Sequence, residues 1–114
     1  MNKSTKRLQF SAKTKKAIYE RDGDMCIFCR MNYHMEGTSC FEYALKDCMH
    51  FVNKSAGGLG IEQNGVTGCR YHHGLLDNGS HGLRIEILQI MENHLKDCYP
   101  DWDKNKLKYG KGGN

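Results

Sequence analysis

Residues 48–79 read CMHFVNKSAGGLGIEQNGVTGCRYHHGLLDNG, and this stretch decides the fold. Residues 42–52 predict a strand that ends inside the stretch, with Tyr43, Leu45, Cys48, His50 and Val52 as candidates for a partly buried run. Glycines and polar residues over 53–60 indicate a loop, and the Gly-Val-Thr-Gly at 65–68 favours a second short strand. A helix is predicted from near residue 70 to Asn78-Gly79, where Gly79 suits a helix C-terminus. The order strand, loop, strand, helix predicts the α+β class.

The flanking segments add one helix on each side of this stretch. Ser11 is a suitable N-cap for a helix that runs to about Arg21, and the Asp-Gly-Asp that follows is a turn signal. Apolar residues at helical spacing over 83–98 predict the clearest helix of the chain. Pro100 is expected to terminate it.

The chain is expected to form one small domain, since 114 residues match the usual size of a single unit. This domain would span 11–80, preceded by a basic flexible arm over 1–10. Residues 81–114 would supply a helix and a basic tail that pack on the same domain. Hydrophobic residues make up only 39% of the chain, so the core is expected to be modest and a metal ion would help to stabilise it.

Charge and hydropathy indicate in which cellular compartment the protein is expected and which partners it could bind. The formal net charge of +4 is concentrated near the two ends, and it fits a nucleic-acid partner without requiring one. No apolar run approaches the ~20 residues of a membrane helix, and no signal peptide is evident. We therefore expect a cytoplasmic protein without a membrane partner. Its six cysteines would stay reduced, so metal binding by some of them is expected rather than disulfides.

Two ligand pairs share the same two-residue spacer, Cys26-x-x-Cys29 and Cys69-x-x-His72. Such a spacer lets both side chains of a pair reach one ion from a tight turn, and structural zinc takes four tetrahedral sulfur or nitrogen ligands. The sequence therefore predicts a structural zinc site. Two alternatives stay open: His73 could replace its neighbour as the fourth ligand, and the first pair could be a redox pair or plain buried thiols.

The other cysteines and histidines have ordinary interpretations. We interpret three cysteines as buried or half-buried thiols, namely Cys40, Cys48 and Cys98. His34 and His81 are expected on the surface, and His94 on the exposed side of the last helix.

Several spaced motifs over about residues 10–80 resemble the HNH endonucleases, in particular small phage and prophage members. The matching positions are His50 at the end of a strand, Gly57-Gly58 in the next loop, Asn64, and Cys69-Arg70-Tyr71-His72-His73 at the start of a helix. The run Glu20-Arg21-Asp22-Gly23 before the first cysteine pair is similar too. The resemblance implies a ββα-metal core, in which a β-hairpin and a helix grip one divalent ion while the zinc site staples the motif from outside.

The resemblance also implies an activity and roles. The chain would be a metal-dependent endonuclease that nicks or cleaves DNA by hydrolysing phosphodiester bonds. His50 would be the general base, for which an imidazole suits because its ordinary pKa is near neutrality. Asn64 would orient the loop and the base, and His73 would hold the catalytic Mg²⁺, Mn²⁺ or Ni²⁺.

One position departs from the family pattern. Many members carry an acidic residue or a histidine just before the base as a metal ligand, but this chain has Met49, whose thioether is a poor ligand for a hard ion. Two carboxylates could compensate. Asp47 lies two residues before Met49 in the predicted strand, so both side chains point to the same face. Asp77 lies one helical turn after His73. Asp77 is the better candidate by spacing.

DNA is the expected partner, with low sequence specificity, because no helix with obvious base-reading side chains is evident. The candidate phosphate contacts are Lys13, Lys15, Lys16, Lys54 and Arg70. The alternative hypothesis is a zinc-stapled module that keeps the fold, has lost cleavage and binds DNA or a phage or host protein. Met49 favours that alternative.

Overall fold

A computed structural model describes residues 7–36 and 40–109 of the chain. Five α-helices and one two-stranded antiparallel sheet lie wholly within these residues and form a small α+β domain. The first helix, α1 (Ala12–Arg21), begins as predicted, since the Ser11 side chain accepts a hydrogen bond from the Thr14 amide at 3.1 Å. In the part of the chain that the structure describes, no helix combines the length and the apolar character needed to cross a membrane.

The predicted strand over 42–52 is too long, because a short helix occupies its first part. Helix α2 (Ile27–Arg30) follows the first turn, and helix α3 (Cys40–Ala44) precedes strand β1 (Lys46–His50). From α3 the ring of Tyr43 packs on Tyr71, with their centroids 4.9 Å apart. A short run of mixed apolar residues is compatible with a helix or with a strand. Here residues 40–44 are helical, and Tyr43 of this helix packs on Tyr71.

Strands β1 and β2 (Gly65–Cys69) form the hairpin predicted from the opening stretch. Lys46 pairs with Cys69 and His50 with Gly65, so the base candidate lies at the end of the hairpin that carries the connecting loop. All five residues of β2 are buried. A Cβ on Gly68 would come within 2.1 Å of the Met49 sulfur, so the absence of a side chain there leaves room for Met49 in the core.

Two helices follow the hairpin and cover it. Helix α4 (Arg70–Asn78) starts where predicted, and helix α5 (His81–Cys98) begins two residues earlier than the periodicity indicates, with Ser80 as its N-cap. Gly79 is extended rather than left-handed, so the expected glycine C-terminal motif is absent there. The core between hairpin and helices is built from fully buried side chains, including Ile18, Phe28, Met49, Ile87, Met91 and Leu95.

Segments from both sides of the domain hold the loop between the strands. The Gly60 amide donates to the Arg7 carbonyl at 2.9 Å, and the Leu59 amide donates to the Leu107 carbonyl at 2.8 Å. The Arg7 guanidinium lies 5.5 Å from the centroid of the Tyr109 ring, which links the two segments. Residues 7–10, within the expected flexible arm, are therefore attached to the domain; residues 1–6 lie outside the described part.

Candidate active site and metal centre

The two predicted ligand pairs come together at two helix starts. Cys26 is the N-cap of α2, and its sulfur accepts a hydrogen bond from the Cys29 amide at 3.4 Å. Cys69 is the N-cap of α4, and its sulfur accepts from the His72 amide at 3.5 Å. Each N-cap folds the chain so that both members of a pair face the same point. We call these four residues the Cys/His cluster.

Distances within the Cys/His cluster are close to those between ligands of one tetrahedral ion, with the Cys69–His72 pair about 0.3 Å shorter. Bonds of about 2.3 Å to sulfur and about 2.0 Å to nitrogen place tetrahedral ligands roughly 3.5–3.8 Å apart. The Cys29 sulfur lies 3.8 Å from that of Cys69, and the His72 Nδ1 lies 3.8, 3.7 and 3.2 Å from the sulfurs of Cys26, Cys29 and Cys69. The cluster is therefore a possible metal-binding site.

His72, and not His73, completes this cluster. Its side chain is buried, and its Nε2 donates to the Tyr33 carbonyl at 2.6 Å, because a carbonyl oxygen can only accept. The Nδ1 lone pair then faces the sulfurs, and such a second hydrogen bond fixes the tautomer of a ligating histidine. Burial lowers the pKa of His72, which favours the neutral form that binds metal.

Burial acts on the thiols in the opposite direction. It raises the pKa of Cys26 far above its ordinary value, and neighbouring thiolates add to this effect. It also raises the pKa of Cys29. Three negative sulfurs in this buried place therefore require a cation, and a metal ion that binds here would displace protons from the thiols.

A cleft beside the loop end of the hairpin is lined by the other predicted site residues. Its volume is about 550 Å³, and its lining includes Phe10, Lys15, His50, Lys54, His73 and Asp77. These side chains come from the segment before α1, from α1, from the end of β1, from the loop after it and from α4. Elements far apart in the sequence thus supply two histidines, one carboxylate and two lysines to one concave surface.

His50 is held in a defined orientation at this cleft. Its Nε2 lies 2.8 Å from the Leu8 carbonyl and donates to it, so the Nδ1 keeps a lone pair. The Phe10 ring stacks on the imidazole with centroids 4.0 Å apart. Burial lowers the pKa of His50, and Lys54 and His73 add to the shift, although the bond to Leu8 opposes it. The lowered pKa favours the neutral imidazole.

Asn64 is buried and ties the loop between the strands together. Its Oδ1 accepts from the Val52 amide at 2.8 Å, and its Nδ2 donates to the carbonyls of Val52 at 3.1 Å and Leu59 at 2.8 Å. Its own carbonyl accepts from the Phe51 amide at 2.9 Å, directly after His50. These contacts shape the loop beside the base candidate, and a catalytic role of Asn64 stays a prediction.

His73 lies between the two carboxylates that could compensate for Met49. Its Nδ1 is 3.0 Å from Oδ2 of Asp47, a hydrogen-bond distance. Its Nε2 is 3.6 Å from Oδ2 of Asp77, which is too long for a hydrogen bond. Met49 itself is fully buried in the core and does not face the cleft.

The predicted phosphate contacts divide into two groups. Lys15 and Lys54 line the cleft. Lys13 and Arg70 are exposed and do not line it, and Lys16 faces Glu20 at 3.9 Å on the same helix. The cleft therefore has two of the five predicted cations.

A buried ionic network around Asp22 was missed by sequence reasoning. The Asp22 carboxylate accepts from Nε and Nη2 of Arg21 at 2.7 and 2.9 Å, from the Thr67 amide at 2.8 Å and from His94 at 2.7 Å. His94 is therefore not on the exposed side of α5, contrary to the prediction. Burial alone would raise the pKa of Asp22, but the bonds from His94, Arg21 and Thr67 lower it well below its usual value.

Asp22, His94 and Cys98 together have the spacing of a three-ligand metal group. The contacts favour a structural role instead. Both Asp22 oxygens already accept two hydrogen bonds each, and the Arg21 guanidinium beside them repels a cation. Arg21 also donates to the carbonyls of Glu62 and Gly65 at 2.9 and 2.8 Å, so the network joins α1, β2 and α5.

The remaining predicted surface residues are mostly where expected. His34 and His81 are exposed. Cys48 and Cys98 are half-buried, whereas Cys40 is exposed rather than buried.

Comparisons with protein-family models, with curated proteins and with solved structures found no match to this chain.

Proposed function

We propose that this chain is a metal-dependent endonuclease of the HNH type that hydrolyses phosphodiester bonds in DNA. One observation carries the proposal: His50, His73 and Asp77 line one cleft together with Lys15 and Lys54. A cleft with a neutral imidazole, a carboxylate and cations suits the attack of water on a phosphodiester. The order of hairpin and helix, β1, β2 and α4, is the order that the ββα-metal core requires.

The ion of the Cys/His cluster is proposed to be zinc with a structural role. Three sulfurs and one imidazole nitrogen are the ligands that structural zinc prefers, and their tetrahedral spacing leaves no open position for a substrate. Since His72 directly precedes His73, the cluster also fixes the start of the helix that presents His73 to the cleft.

His50 is proposed to be the general base. The bond from Nε2 to the Leu8 carbonyl leaves Nδ1 as the proton acceptor, and the lowered pKa keeps this nitrogen unprotonated. Nδ1 would take the proton of the attacking water. Asn64 would position the base by holding the loop that begins at Phe51.

His73 and Asp77 would hold the catalytic divalent ion, which when bound would stabilise negative charge on the scissile phosphate. Asp47 would act on His73 rather than on the ion. Its carboxylate accepts the Nδ1 proton of His73 at 3.0 Å, which directs the Nε2 lone pair towards Asp77. This arrangement replaces the ligand that the family pattern expects at Met49.

DNA would be bound mainly through its phosphates. Lys15 and Lys54 flank the base candidate in the cleft, and both side chains reach solvent. Contacts of this kind carry little sequence information and weaken with salt. We also propose that the protein binds DNA with low sequence specificity and acts in the cytoplasm.

A second candidate function is a zinc-stapled module that binds DNA or a phage or host protein without cleaving. The burial of Met49 favours it, because that strand position offers no ligand to the cleft. The two candidates differ in what a divalent ion does. It is required for turnover in the enzyme and dispensable for binding by the module.

Cleavage of supercoiled plasmid tests the proposal. Zinc-loaded protein is incubated with plasmid and Mg²⁺, Mn²⁺ or Ni²⁺, beside His50→Ala and a matched control, His81→Ala, at an exposed histidine. We expect nicking by wild type and by His81→Ala, and a loss of about 100-fold or more in His50→Ala. The absence of cleavage with every ion, together with DNA binding in a mobility-shift assay, would establish the binding module instead.

A further inference from the structure

The side chain of His50 is oriented by residues outside the motif that predicts it. Its Nε2 donates to the Leu8 carbonyl at 2.8 Å, and the Phe10 ring stacks on its face at 4.0 Å with an angle of 28° between the planes. Both contacts come from residues 7–10, which we call the N-terminal segment. No hydrogen bond from the strands or from α4 to the His50 ring occurs among the residues that the structure describes.

The N-terminal segment is itself fixed at defined points. The Arg7 carbonyl accepts from the Gly60 amide at 2.9 Å, and the Arg7 guanidinium lies over the Tyr109 ring. The Phe10 ring also contacts the sheet, since a Cβ on Gly65, the strand partner of His50, would lie 2.6 Å from it. Phe10 is thus held between the base candidate and the strand opposite.

The approach of the segment to the loop depends on one glycine. A Cβ on Gly60 would lie 2.1 Å from the Gln9 carbonyl oxygen, 2.3 Å from the Gln9 carbonyl carbon and 2.8 Å from the Phe10 amide nitrogen. These are backbone atoms, which cannot rotate away as a flexible side chain would. Any residue larger than glycine at position 60 must displace the segment at the place where it reaches His50.

We propose that the N-terminal segment is a positioning element of the active site, in which the Leu8 carbonyl and the Phe10 ring orient His50 for catalysis. This inference rests on the proposed nuclease function. The carbonyl selects the imidazole tautomer with a proton on Nε2, and the ring restricts rotation of the side chain. Nδ1 is then aimed at the cleft before substrate arrives. Residues 7–10 thus belong to the catalytic unit, and Gly60 is required because it lets them approach.

The test uses the full chain with Gly60→Ala, which displaces the segment without touching His50. The control is Gly82→Ala in α5, where an added Cβ meets no atom within 4 Å. Zinc content and circular dichroism verify folding. Two readouts follow: the slowly exchanging Nε2 proton of His50 in the NMR spectrum, assigned by its absence in His50→Ala, and the rate of plasmid nicking as a function of plasmid concentration.

We expect wild type and Gly82→Ala to show the protected proton and the same rates. Gly60→Ala should lose the proton signal and show a kcat about 10- to 100-fold lower with KM within about twofold, since misplacing a base by an ångström has effects of this size. If Gly60→Ala does not fold, Phe10→Ala is compared with Phe41→Ala, whose ring is 69% exposed, for the same two readouts.

The outcomes separate this inference from the proposed function. An active wild type with an unchanged proton signal and unchanged kcat in Gly60→Ala or Phe10→Ala overturns the inference and leaves the nuclease standing. A wild type that cleaves with none of the three ions overturns both, even when the His50 proton is protected. A merely structural role of the segment would lower the free energy of unfolding while leaving kcat unchanged in the folded protein, and this result too would overturn the inference.

Discussion

Replacing Asp22 by asparagine should destabilise the domain strongly. The side chain is inaccessible to solvent and accepts four hydrogen bonds, from Arg21 twice, from the Thr67 amide and from His94. The asparagine would retain one acceptor oxygen, and the amide group in place of the other oxygen would face N–H donors that it cannot accept from. Arg21, with only 14% of its side chain exposed, would lose its charge partner.

The magnitude follows from these contacts. Removing one partner of a buried ion pair costs about 3–5 kcal/mol, because the remaining charge stays buried without compensation. A domain of this size has a free energy of unfolding of about 5–15 kcal/mol, so a large part of it would be lost. At about 4 °C per kcal/mol the melting temperature should fall by roughly 12–20 °C.

Urea unfolding of the zinc-loaded protein, followed by circular dichroism, measures this loss. Asp101→Asn is the control, since Asp101 is exposed, and its effect should stay within about 0.5 kcal/mol. The effect of Asp22→Asn should also depend on pH. Because the folded pKa of Asp22 lies below the ordinary 3.8, its stabilisation is present above that pH and is lost as the pH falls through the folded pKa. A loss below about 1 kcal/mol at neutral pH would refute the reasoning.

Three further predictions concern the candidate site. Because burial lowers the pKa of His50, the acid limb of the nicking rate should lie below the ordinary 6.5, and a pH–rate profile with its midpoint at or above 6.5 would contradict this assignment. Cys69→Ser should abolish tight binding of one zinc ion per chain in elemental analysis of the dialysed protein, whereas Cys40→Ser at an exposed position should leave it unchanged. Asn64→Asp replaces two buried donors with an acceptor that faces carbonyls, so urea titration should show a loss of about 2–4 kcal/mol; a loss under about 1 kcal/mol would mean that the loop does not depend on Asn64.

Local spacing made the Cys/His cluster predictable. A two-residue spacer restricts where two side chains can point, and the N-cap bonds of Cys26 and Cys69 show the turn that this spacing produces. The choice between His72 and His73 was harder, because both are adjacent and only burial and the bond to Tyr33 separate them. The helix predicted over 83–98 was equally accessible from sequence, since a long apolar period is a strong local signal, and the structure extends it to 81–98.

The Asp22 network was not predictable from the same rules. An aspartate between an arginine and a glycine is typical of an exposed turn, and the contacts that bury Asp22 come from Thr67 and His94, far along the chain. Residues 7–10 present a similar difficulty. Their attachment depends largely on backbone hydrogen bonds and on the missing side chain of Gly60, and a basic composition carries no signal for either.

The contacts of the loop between the strands with residues 7–10 and 107–109 bear on where the chain can be shortened. The Leu59 amide donates to the carbonyl of Leu107, a residue that follows α5 in the sequence. A chain that ends after α5 would keep the four ligands of the Cys/His cluster but lack the Leu107 carbonyl that accepts from Leu59. Such a chain would keep every ligand of the metal site and lose one of the two anchors of the loop that follows His50.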